Sequence, residues 1–138
     1  MSTISPEKTL LQGSSGYELA RALYWNPTQR KSTPACIFQP WSAADVSLAL
    51  VILRYTSCPF NVRSGGHGKW IGESSINGGV LIDLAKLDHI NVADDRRTVT
   101  LGPGNRWLNV YAATESFGIT VVGGRTANVG VGGFLLGG

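Results

Sequence analysis

The sequence predicts an α+β fold, and three observations predict it. A strand and a helix are expected in succession between residues 35 and 53, and short apolar segments that read as strands recur between 79 and 122. Two glycine-rich turns, Arg63-Ser64-Gly65-Gly66-His67-Gly68 and Gly123-Gly124-Arg125-Thr126-Ala127-Asn128-Val129-Gly130-Val131-Gly132-Gly133, flank that run. Sixteen of the 18 glycines lie after Ser64, so the second half reads as a binding surface and the first half as its scaffold.

At 138 residues the chain has the size of one domain and can bury roughly two thirds of its unfolded surface. Charged residues make up 15% of it, less than the usual quarter or so, which fits a piece packed against something else. The net charge of +3 is spread singly, with no basic run beyond Arg30-Lys31 and Arg96-Arg97, which argues against a nucleic-acid partner. No stretch approaches the roughly 20 apolar residues of a membrane span, and residues 1–12 lack the apolar core of a signal peptide. The expectation is a soluble, cytoplasmic protein without a membrane partner, of unknown oligomeric state. Cys36 and Cys58 sit in no metal-binding spacing and are expected to be buried free thiols.

In chain order, residues 1–33 are polar with scattered apolar positions and are expected to form a loosely ordered leader, with a short helix at 17–23 and Leu19, Leu23 and Trp25 as its packing residues. Residues 35–39 read as a strand ended by Pro40. Ser42 and Asp45 have the spacing of a capping box, opening a helix whose Val46, Leu50 and Leu53 share one face. Its other positions are largely apolar too, which predicts a helix with little exposed surface. Residues 59–62 form the next strand and lead into the first glycine turn. Residues 79–84 read as a buried strand, and 90–101 as a hairpin turning at Asp94-Asp95. After Gly102-Pro103-Gly104, Asn105 is expected to cap a helix with Leu108, Tyr111 and Ala112 on one face and Gly118 just past its end. Residues 119–122 read as a last strand. The run Phe134-Leu135-Leu136-Gly137-Gly138 then closes the sequence with no polar tail or helix, from which a truncated chain is expected.

Two common glycine motifs fail on inspection. A phosphate-binding P-loop is excluded around Gly68-Lys69, because Arg63 stands where its first glycine belongs and Trp70 follows the lysine. The dinucleotide pattern fails as well, since Leu135 follows Gly130 and Gly132, and Trp107 follows Gly102 and Gly104, where a third glycine is required.

Four ordered motifs nevertheless resemble a known family. Val62-Arg63-Ser64-Gly65-Gly66-His67, Gly79-Val80-Leu81-Ile82-Asp83-Leu84, Gly102-Pro103-Gly104-Asn105-Arg106-Trp107 and the segment from Gly123-Gly124-Arg125 through Val129-Gly130-Val131-Gly132-Gly133 to Gly138 are similar to the PCMH-type FAD-binding domain of the vanillyl-alcohol oxidase and p-cresol methylhydroxylase superfamily. Within it, the likeness is to berberine-bridge-enzyme-like and fungal FAD-linked oxidoreductases, over residues 34–138. The resemblance implies the N-terminal part of a domain with two small sheets and flanking helices. It also implies an oxidase that moves a hydride from a substrate C–H bond to flavin N5, with dioxygen as the oxidant and a small molecule as the substrate.

Residue by residue, the resemblance implies that Arg63, Ser64, Gly65, Gly66, His67 and Gly68 wrap the FAD pyrophosphate, with His67 at the position that bonds covalently to the flavin 8α-methyl in many members. It implies that Gly124, Arg125, Thr126, Val129, Gly130, Gly132 and Gly133 run along the isoalloxazine and ribityl side. Thr126 stands where doubly attached members carry a cysteine, so attachment is expected through His67 alone. No catalytic base and no metal ligand is identified. Two alternatives stay open on the residues alone: a truncated product that binds no FAD, and a small non-enzymatic module that binds flavin or phosphate. Asp83 and Asp88 read as strand-end and turn residues, His89 as a surface histidine and Trp107 as packing.

Overall fold

The computed structural model describes residues 6–137. Its first layer is a four-stranded sheet of β1 (Thr9–Leu11), β2 (Cys36–Phe38), β4 (Val80–Asp83) and β3 (Phe60–Arg63), in that spatial order. Strands β2, β4 and β3 are parallel, and β1 joins β2 antiparallel with Thr9 opposite Phe38. Strand β4 takes the centre because all four of its residues are buried, as expected for a parallel strand covered on both faces.

Alternation along the strands sorts the core into two halves. Ile37 and Leu81 point to one face and pack with Tyr17, Ala20 and Tyr24 of α1 (Ser15–Ala22) and the turn after it. Phe38, Val80 and Ile82 point to the other and pack with Ala49 and Leu53 of α2 (Ala43–Tyr55). Each such large side chain contributes roughly 1.5–3 kcal/mol on leaving water. A third cluster, Trp107, Val110 and Val131, joins the hairpin β5 (Ile90–Val92) and β6 (Val99–Leu101) to α3 (Trp107–Glu115) and α4 (Val131–Gly137).

The strand at 79–84, the hairpin, the capping box and Gly118 stand as the sequence predicts. In the box, the Ser42 hydroxyl accepts from the Asp45 N–H and the Asp45 carboxylate accepts from the Ser42 N–H. Gly118 has φ +68° just past α3.

Other expectations are corrected. Residues 6–33 are not a loose leader: they supply β1, α1 and three of the five buried residues of one core cluster. Leu19 and Leu23 are exposed, while Trp25, though half exposed, packs on His67 as a stacked ring. In α2, Ala49 and Leu53 face the sheet and Leu48, Leu50 and Val51 are exposed, because a helix that is apolar all round carries no stripe to orient it and the small Ala49 allows close approach. Asn105 does not cap α3. Its amide donates to the carbonyls of His89 and Gly102, Arg106 is the cap residue, and Trp107, Val110 and Thr114 form the buried face. Residues 119–122 have strand-like composition but are irregular, and residues 131–137, expected to be non-helical, form α4. Cys36 and Cys58 are free, as expected, but half-buried.

Candidate functional site

Strand β3 delivers the first glycine turn to the end of the sheet, and the floor of that turn is an ion pair. The Arg63 guanidinium donates from Nη2 to Asp83 Oδ2 (2.8 Å), from Nε to Asp83 Oδ1 (3.2 Å) and from Nη1 to the Ala20 carbonyl (2.8 Å). It also lies 4.5 Å from the centre of the Tyr24 ring, and Gln39 donates to Asp83. Burial disfavours the Arg63 charge, but the Asp83 hydrogen bonds and charge outweigh it and raise its pKa above the ordinary arginine value. The expectation that this positive charge serves a phosphate is corrected: it is spent on Asp83, inside the sheet.

Beyond Arg63 the chain folds over the second turn. A Cβ placed on Gly65 would overlap the backbone N and Cα of Gly130, and one on Gly130 would overlap Gly65. Glycine is required at both places by closeness, whereas Gly66 also needs its φ of +63°. The Ser64 hydroxyl donates to the Pro103 carbonyl (2.5 Å), and Val131 N–H donates to the Asn105 carbonyl (2.9 Å). Trp107 N–H donates to Val129 O (3.1 Å), and Arg106 holds the Asn128 carbonyl. Three segments distant in sequence thus meet around 64–68, 102–105 and 129–133.

They enclose a cleft of about 480 Å³. Of the sequence-predicted residues, Ser64, Gly65, Gly66, His67, Gly68, Val129, Gly130, Gly132 and Gly133 line it. Arg63 does not, and neither do Gly124, Arg125 and Thr126. Gly124 packs on the Trp107 indole and its carbonyl accepts from the Tyr111 hydroxyl (2.9 Å), while Arg125 and Thr126 are exposed. Leu84, Pro103, Phe134 and Leu136, which lie in the four motifs but have no binding role assigned from sequence, also line the cleft, as do Glu73 and Ser74, which belong to no motif.

The donors in the cleft wall suit an extended, anionic cofactor. Among the described residues, none accepts from the backbone N–H groups of Gly65, Gly66, His67 or Gly68. The His67 Nε2 atom is buried without a hydrogen-bond partner. Unpaired polar groups at a buried site are costly unless something else satisfies them. The apolar Val62, Leu84, Phe134 and Leu136 add surface for a flat ring.

These features define an open cleft built from glycine turns at the end of a small mixed sheet, with a donor set that fits a nucleotide cofactor. The family model for the FAD binding domain matches residues 34–138, and the chain belongs to that family. The FAD-dependent monooxygenase drtC of Aspergillus calidoustus is 43% identical over 136 residues, which cover 96% of this chain and 26% of that protein. The FAD-dependent monooxygenase macF of Penicillium terrestre is 44% identical over 135 residues, covering 97% and 26%. Among solved structures, 6-hydroxy-D-nicotine oxidase from Arthrobacter nicotinovorans superimposes with a TM-score of 0.78 at 25% identity, covering 88% of this chain and 26% of that one. The chain spans about a quarter of the length of the curated relatives it matches. No helix among the described residues is long and apolar enough to cross a membrane.

Proposed function

We propose that the chain is the FAD-holding part of an FAD-dependent oxidoreductase of the oxidase type acting on a small molecule. The observation that carries this reading is the cleft itself, in which the two glycine turns close on one another and the N–H groups of Gly65, Gly66, His67 and Gly68 have no acceptor among the described residues. FAD, when bound, supplies a two-electron acceptor at N5 for a substrate hydride, with dioxygen as the final oxidant.

The residues of the chain bind and orient. The N–H groups of Gly65, Gly66, His67 and Gly68 hold the pyrophosphate, and the absence of side chains lets the backbone approach it. Val129, Gly130, Gly132 and Gly133 line the ribityl and ring side, and Leu84, Phe134 and Leu136 keep water from it. His67 is the residue assigned to covalent attachment, because an imidazole nitrogen carries a lone pair that can act as a nucleophile. Thr126 offers no thiol for a second link.

The test is to purify the protein expressed from its complete gene, denature it and measure flavin that stays with the polypeptide. Flavin is expected to remain attached, and His67→Ala is expected to lose the attached fraction while keeping some non-covalent FAD. A native protein without flavin sinks the functional reading; flavin still attached to the His67→Ala polypeptide sinks the His67 assignment.

A further inference from the structure

We propose that Trp25 is a positioning residue for His67: its indole fixes the plane of the imidazole at the cleft, and its neighbours fix the turn that carries it. This rests on the FAD reading of the cleft. The Trp25 and His67 rings are stacked, with centroids 4.5 Å apart and planes 12° from parallel. No hydrogen bond among the described residues holds the imidazole, and its Nε2 is buried and unpartnered. A ring on a terminal torsion without a hydrogen bond has a broad rotational well, so the indole face is what defines its orientation.

The backbone on both sides of His67 is held by the same segment. Trp25 N–H donates to the Gly66 carbonyl (3.4 Å), and Gln29 Nε2 donates to the Gly68 carbonyl (3.0 Å). Asn26 Nδ2 donates to the Lys69 carbonyl (2.7 Å), and the Tyr24 hydroxyl donates to the Ser74 carbonyl (2.5 Å). Trp25 itself is 52% exposed, so it is not a core residue whose removal leaves a sealed void. Residues 24–29 also lie outside the stretch matched by the family model, so the cofactor cradle extends beyond that boundary.

The experiment uses the protein expressed from its complete gene and prepared without flavin. It follows the His67 ring-proton resonances, and the affinity for added FAD by fluorescence quenching before attached flavin accumulates. Trp25→Ala is expected to abolish the upfield displacement that a stacked indole gives the His67 ring protons. It is also expected to weaken FAD binding roughly two- to tenfold, because binding must then order a freed side chain. Trp25→Phe is expected to restore both, and Trp25→Ala is expected to add nothing in a His67→Ala background. Where Trp25→Ala does not fold, Trp25→Leu keeps the apolar bulk without the flat face and takes its place. Unchanged His67 resonances, or the same loss of FAD affinity in the His67→Ala background, overturn the proposal. Wild-type protein that binds no FAD overturns the reading of the cleft instead, and the ring-proton result distinguishes that failure from a failure of the stack.

Discussion

Gly65 and Gly130 touch backbone to backbone, and neither has room for a methyl group. Gly65→Ala is therefore expected to push the two turns apart, destabilise the fold by roughly 1–3 kcal/mol and weaken FAD retention. Urea unfolding and flavin content check this, and an unchanged midpoint with full flavin content would show that the turns can separate freely. Glycine density made the two turns legible in the sequence, but not which glycines meet, because closeness is a tertiary property. Arg63 illustrates the same limit. Its place beside the turn suggested a phosphate ligand, yet Asp83, 20 residues on, claims the guanidinium once β3 and β4 pair.

At the scale of elements, local signals were legible and partners were not. The capping box at Ser42 and Asp45, the apolar run of β4 and the hairpin are written in short stretches. Strand β1 is only three residues long and exists because β2 offers it an edge. The expected strand at 119–122 is the converse case: suitable residues without a paired neighbour among the described residues. Helix α4 carries three glycines among seven residues, a composition that intrinsic propensity disfavours and tertiary packing of Val131 against Trp107 overrides. The start of α2 carries a pH dependence. The Asp45 carboxyl is lowered from 3.8 to about 2, first by the hydrogen bond from Lys8 and then by the Trp41 N–H. A carboxyl whose pKa is lower in the folded protein favours folding above its ordinary value, and that contribution disappears as pH falls from 3.8 to about 2. Asp45→Asn is expected to flatten the acid-unfolding curve in that window and leave its slope near neutral pH unchanged; an identical acid limb would remove the Lys8 contact from the account.

For the whole molecule, the division into leader and domain does not survive the packing. Tyr17, Ala20 and Tyr24 cover one face of the sheet, so a polypeptide of residues 34–138 is expected to lose cooperative unfolding and expose Ile37 and Leu81. Circular dichroism melts of the two lengths decide this, and a sharp transition in the shorter one would mean the sheet is stable without that cover. The mutual contact of Gly65 and Gly130 has a further consequence during biosynthesis. The cleft has no second wall until residues 129–133 have left the ribosome and docked on 64–68, a closure across more than 60 residues of chain. On the proposed reading, a nascent polypeptide that has displayed its histidine turn holds only one side of the flavin cleft until the later glycines arrive.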